Sequence, residues 1–180
     1  MRIKKENSIA VVIDVQRRLY PFISENEKLT GNIVRLIKGI KTLDIGIIVT
    51  VQYLKGLGDT TEPVKEALGN YIHLEKLSFS CCGDSEFMSK LKDSGKKNVI
   101  LCGIESHVCV LQTALDLLTN GFQPVLIEDC VSSRNLNDKN IAVERMRQEG
   151  AIISTYESIL FELLEISGTE TFKEISKIVK

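Results

Sequence analysis

Short, almost continuously apolar runs alternate with segments of helical period along most of this chain. Ser8-Ile9-Ala10-Val11-Val12-Ile13-Asp14-Val15 predicts a first strand, buried on both faces. Ile33, Leu36, Ile37, Ile40 and Leu43 then share one helix face, and Gly46 stops that helix. Ile47-Ile48-Val49-Thr50-Val51 predicts the second strand. Tyr53 to Asn70 is the least regular stretch, with Gly56, Gly58, Gly69 and Pro63, and predicts an extended loop holding one helical turn.

A short strand is expected at His73-Leu74-Glu75-Lys76-Leu77, then a helix capped by Asp84 or Ser85 and running through Phe87, Met88 and Leu91. Asn98 to Cys102 and Gln123 to Asp129 read as strands, separated by a helix with Leu111, Ala114, Leu115 and Leu118 on its apolar face and Gly121 at its end. Ile141 to Gln148 is helical and Ala151-Ile152-Ile153 is a last short strand. Ser154-x-x-Glu157 and Thr171-x-x-Glu174 are capping-box patterns that open two final helices. Apolar strands alternating with helices imply βαβ units. The expected fold is α/β: a three-layer α/β/α sandwich with a mostly parallel, six-stranded, Rossmann-like sheet, in a single domain over 1–180.

Composition narrows the function. Hydrophobic residues make up 43% and charged residues 26%, with a formal net charge of -1, so no basic excess argues for nucleic acid. No apolar stretch reaches the roughly 20 residues that span a bilayer. The polar start, Met1-Arg2-Ile3-Lys4-Lys5-Glu6-Asn7, lacks a signal-peptide pattern, and a cytoplasmic location is expected. The five cysteines, Cys81, Cys82, Cys102, Cys109 and Cys130, are odd in number and form no C-x-x-C, which argues against a disulfide framework. Cys102 and Cys130 lie in apolar runs and read as small buried hydrophobes.

Cys109 differs from the others. It follows the strand Val99-Ile100-Leu101-Cys102 and opens a helix. Free N–H groups and the helix dipole there favour a thiolate. In open α/β sheets the site lies beyond the carboxyl ends of the strands. Asp14 closes the first strand and Lys76 lies near the end of the third, so adjacent strands can bring both to Cys109. Asp14 would take the thiol proton, Lys76 would stabilise the thiolate, and Cys109 would attack an acyl carbon to give a thioester. The N–H groups of Glu105 and Cys109 would form an oxyanion hole. Taken singly, an Asp at a strand end also reads as a cap or turn former, a Lys as solvated surface and a Cys as core. His107 is too near Cys109 along a helix start to face it, and reads as a pocket wall or structural residue. No zinc-type His/Cys set, Walker sequence or dinucleotide fingerprint is present.

These residues resemble the isochorismatase-like cysteine hydrolases. Val11-Val12-Ile13-Asp14-Val15-Gln16, Lys76 in Glu75-Lys76-Leu77-Ser78-Phe79-Ser80, and Gly103-Ile104-Glu105-Ser106-His107-Val108-Cys109-Val110 match that family's three motifs in order and spacing. Gln52-Tyr53-x-Lys55-Gly56-Leu57-Gly58 and Cys130-Val131-Ser132-Ser133-Arg134 resemble the isochorismatase domain-containing branch. The resemblance implies a triad of Asp14, Lys76 and Cys109, a cis peptide between Ile104 and Glu105, and a homo-oligomer, a dimer or larger.

Nicotinamidases of the superfamily hold a metal through an Asp-x-His motif. Here that stretch is Gln52-Tyr53-Leu54, so neither a metal nor another cofactor is expected. Ile104, Tyr20, Phe22, Phe79, Arg17 and His107 are expected to line a small-molecule pocket. The leading expectation is a hydrolase of an amide-like C–N bond. The alternatives are an inert binding or interaction protein that keeps the fold, and a thiol redox sensor, which needs Cys81 or Cys82 close to Cys109.

Overall fold

The structure, a computed structural model, describes residues 2–180. Six strands form one sheet in the order β3-β2-β1-β4-β5-β6: β1 Ser8–Ile13, β2 Ile47–Gln52, β3 His73–Lys76, β4 Asn98–Ile104, β5 Gln123–Ser132 and β6 Ile152–Ser154. Every pairing is parallel. The expected sheet is therefore wholly rather than mostly parallel.

Alternation along β1 sends its side chains into two cores. Ala10 and Val12 pack into a cluster with α1 (Asn26–Thr42), α3 (Glu62–Leu68), α7 (Tyr156–Leu164) and α8 (Glu170–Val179). Ile9, Val11 and Ile13 pack with α4 (Ser85–Asp93), α5 (Leu111–Thr119) and α6 (Leu136–Glu149). These are the three layers. All six residues of β1 are buried, which is why the run is continuously apolar rather than alternating.

Three local expectations need correction. Tyr53 to Asn70 is not an extended loop with a single turn: it holds α2 (Leu54–Leu57) and α3. Gly58 (φ 75°) and Gly69 (φ 71°) end these helices rather than break them, while Gly56 lies within the single turn of α2. Pro63 fits the first turn of α3, where a missing N–H costs nothing. The two final caps also sit elsewhere. Thr155, not Ser154, accepts the N–H of Ser158, and Thr169, not Thr171, accepts that of Phe172. Finally, β5 runs on to Ser132 and α6 begins at Leu136, so the chain between them is only three residues long.

The strand order reverses between β1 and β4, so the carboxyl ends of these two neighbours frame a crevice. Gly103, paired with Ile13, has φ 125°, and a methyl group there would overlap the Ile13 backbone. Glycine thus allows β1 and β4 to close together directly under the site.

Candidate active site

Asp14 follows β1 directly and adopts the left-handed conformation, φ 50°, which aspartate tolerates better than most residues. The turn ends the strand and leaves the carboxylate inside the protein, fully buried. The Thr50 hydroxyl of β2 donates to Asp14 Oδ1 at 2.8 Å. The Lys76 ammonium donates to Oδ2 at 2.6 Å, with both side chains sealed from solvent. Lys76 is the last residue of β3, paired in register with Gln52 of β2. Its Nζ also donates to Gln52 Oε1 (2.9 Å) and to the carbonyls of Ser78 (3.2 Å) and Phe79 (3.0 Å), where the chain curls back over it. Burial opposes the Lys76 charge, but Asp14, with the Cys81 and Cys109 thiols, outweighs it and holds the ammonium above the usual lysine range.

Cys109 completes the group. It lies in a π-helical turn, Ser106–Val110, that leads into α5, and is 6% exposed. Its thiol donates to Gln52 Oε1 at 3.9 Å, and the Asp14 carboxylate lies near enough to act on its ionisation. The structure therefore brings together Asp14, Lys76 and Cys109 from the ends of β1, β3 and β4.

The thiol's state differs from the sequence expectation. Burial pushes it well above the ordinary cysteine range, Asp14 pushes it further, and Lys76 offsets only part. The helix N-terminus does not win, because the nearby N–H groups of Val108 and Val110 already donate to the Glu105 carbonyl. Burial and the Asp14 charge therefore favour the protonated thiol at neutral pH.

Glu105 precedes the π-turn, and the Ile104–Glu105 peptide is cis. Among the described residues its N–H has no acceptor. Its buried carboxylate accepts the backbone N–H and the Nε–H of Arg134, both at 3.1 Å.

The other expected pocket residues divide. Phe79 contributes its carbonyl to Lys76 while its ring is half exposed, and Phe22 is exposed. Tyr20 is half-buried in the short turn with Phe22. Arg17 is exposed and pairs loosely with Glu62 at 3.5 Å. Ile104 is not a pocket wall: its side chain is fully buried in the core cluster on the α1 side of the sheet. His107 turns to Ser133, with Nδ1 2.9 Å from its Oγ, and lines a cleft against α6 with Leu111, Ile141 and Arg145.

Sequence reading missed Thr50, Gln52, Gln16 and Thr113. The signal was present for the first two, which are polar residues at the carboxyl end of an otherwise apolar strand. Cys81 is also close by: its sulfur is 3.8 Å from Thr50 Oγ1, and its N–H donates to the Thr113 hydroxyl, which donates to the Cys109 carbonyl at 2.6 Å. Burial pushes the Cys81 thiol up to about 11. Among the described residues no three His, Cys, Asp or Glu side chains gather as a metal site.

Comparison with known proteins agrees with this architecture. The family model described as the isochorismatase domain matches residues 8–158. Isochorismatase domain-containing protein 2A of Mus musculus is 38% identical over 99% of this chain and 85% of its own length. A structure of the MAR1 ribonuclease from Caenorhabditis elegans superposes with TM-score 0.93 at 39% identity, covering 99% of this chain and 92% of that one. The YCAC gene product of Escherichia coli, described as an octameric hydrolase of unknown specificity, has the same fold, with TM-score 0.93 at 22% identity over 99% of this chain and 89% of that one. A parallel sheet with this strand order, a matching family domain and full-length relatives together make the chain a member of the isochorismatase family, with the fold of its hydrolases.

Proposed function

We propose that this chain is a cysteine hydrolase that cleaves an amide-like C–N bond of a small molecule through a thioester on Cys109. The observation that carries the reading is the sealed Asp14–Lys76 pair, 2.6 Å apart, against a buried thiol. Attack of sulfur on the acyl carbon passes the thiol proton to Asp14, and Lys76 offsets the negative charge. The carbonyl oxygen becomes an anion facing the N–H groups of Glu105 and Cys109; one such donor is typically worth about 3 kcal/mol of barrier. Collapse expels the amine, which takes the proton from Asp14. Water, deprotonated by Asp14, then attacks the thioester, and collapse returns the thiol and releases the acid.

No cofactor enters this scheme. The homo-oligomer belongs to the same proposal: exposed Ile72 and Leu77 flank edge strand β3, an apolar edge of the kind that pairing covers. A cytoplasmic setting fits five free thiols.

The test is a screen of small carboxamides, scored by acylation of Cys109 in intact-mass spectra. An acyl adduct that is lost in Cys109→Ala, with folding intact, is the expected result. Turnover that survives Cys109→Ala sinks the mechanism. The absence of any adduct or turnover supports the inert-scaffold reading. The redox-sensor reading is the weaker one, because both Cys81 and Cys109 are held protonated and a thiol reacts with peroxide through its thiolate.

A second reading is RNA cleavage, favoured by the likeness over 99% of this chain to a protein described as a ribonuclease. RNA degradation by the wild type that is abolished by Cys109→Ala would favour it over amide hydrolysis. Equal degradation by both would remove it from this site.

A further inference from the structure

Gln52 sits at the centre of the polar group, yet the scheme above gives it no role. Its Oε1 accepts from the Lys76 ammonium at 2.9 Å and from the Cys109 thiol at 3.9 Å. Its Nε2 donates to the Leu77 carbonyl at 2.7 Å. That last bond fixes the amide's orientation. A flipped amide would set an NH2 against an ammonium and an oxygen against a carbonyl. The backbone beneath is held as firmly: the Gln52 N–H donates to Gln16 Oε1 (2.8 Å), and Gln16 Nε2 donates to the Gln52 carbonyl (2.9 Å). Gln16 is itself fully buried. Two glutamines thus form a clamp whose exposed product is one oriented carbonyl oxygen.

We infer that Gln52 is a positioning residue for the nucleophile: its Oε1 is the neutral acceptor, shared by Lys76 and the Cys109 thiol, that holds the ammonium in place and keeps the resting sulfur protonated. Neutrality is the point. Lys76 faces four acceptors with three protons. An amide oxygen takes one proton without adding charge, whereas a carboxylate there would be a second anion beside the sulfur. The ionisable groups facing the thiol are Asp14, Lys76 and Cys81, so any charge introduced at position 52 joins a small set. This inference rests on Cys109 as the nucleophile, but its test does not require turnover.

The experiment measures carbamidomethylation of Cys109 by iodoacetamide, peptide by peptide, below the thiol's titration range, in the wild type, Gln52→Glu and Gln52→Met. Thermal melts report folding. A second carboxylate near the sulfur lowers the thiolate fraction, so Gln52→Glu should react about tenfold more slowly, equivalent to one pH unit. Gln52→Met removes the acceptor that favours the protonated thiol and adds no charge, so it should react at least as fast as the wild type. A slower Gln52→Glu together with a Gln52→Met equal to or faster than wild type supports the inference. Two variants that move in the same direction, or rates unchanged in both, overturn it, since a purely structural role follows stability and not charge. Should Gln52→Glu not fold, Gln52→Met alone decides: slower than wild type overturns the inference, equal or faster supports it.

Discussion

The Lys76 ammonium and the Asp14 carboxylate form an ion pair of 2.6 Å with 1% and 0% of their side chains exposed. Burying two charges is costly, and a pair of this kind often adds little net stability, whereas removing one partner leaves an uncompensated charge in the core. Lys76→Met should therefore lower unfolding stability by about 3–5 kcal/mol. The double variant Asp14→Asn/Lys76→Met should regain part of that loss while remaining inactive. Urea denaturation checks this: a double variant less stable than Lys76→Met would mean that the pair itself stabilises the fold. Lys76 is held above its ordinary range, so its contribution is complete at neutral pH and is lost only as pH rises through its folded value, beyond the lysine value of 10.5.

Gly103 and Ile13 meet where β1 and β4 approach. Gly103→Ala would drive a methyl into the Ile13 backbone at φ 125°. Backbone cannot yield as a side chain does, and the left-handed conformation adds strain. A loss of about 2 kcal/mol or more is expected, together with a misplaced Asp14, since Asp14 follows Ile13 directly. A drop in Tm and faster modification at Cys109, whose thiolate the Asp14 charge disfavours, would confirm both effects; a Tm equal to wild type would refute them.

The strands were legible because a parallel sheet covered on both faces must be built from continuous apolar runs, as in Val99-Ile100-Leu101. Asp14, Lys76 and Cys109 were legible because a charge or a thiol at the end of such a run faces the crevice. The rest depends on partners distant in sequence. Whether Thr155 or Ser154 caps α7 turns on a local backbone angle that no spacing specifies. Ile104 has the position of a wall residue, and only its burial in the tertiary cluster it shares with residues of β5, α1 and α7 makes it core. The thiol is the clearest case: its helix context is local and favours ionisation, while its burial and the Asp14 charge are tertiary and oppose it more strongly.

That balance sets the pH dependence of Cys109. A thiol raised by burial has a smaller thiolate fraction at neutral pH than a free cysteine. Its alkylation by iodoacetamide should be slower than that of a model thiol at pH about 7 and should still be rising above pH about 9. Cys102, fully sealed and pushed up to about 12, should remain unmodified until the protein unfolds. A Cys109 profile that levels off near neutrality would show a resting thiolate and displace Asp14 from its role as proton acceptor.

Arg134 holds the Glu105 carboxylate through two bonds of 3.1 Å, while the Glu105 N–H faces the proposed oxyanion. The side chain of Glu105 is 8% exposed, and without the guanidinium its charge would lie uncompensated near a developing anion. Arg134→Ala should reduce kcat on the carboxamide that acylates Cys109 by about tenfold or more, a cost of about 1.4 kcal/mol, with KM changed less. Arg134→Ala should also cost some stability, because it leaves the buried Glu105 carboxylate with only the Arg134 backbone N–H as partner. Glu105→Gln removes the charge but keeps an acceptor for the Arg134 N–H. The double variant Arg134→Ala/Glu105→Gln should therefore recover activity relative to Arg134→Ala. Recovery would identify the unbalanced carboxylate as the cause. No recovery, with an intact fold, would mean that the guanidinium itself contacts the substrate, and a rise in KM in Arg134→Ala would then accompany the loss.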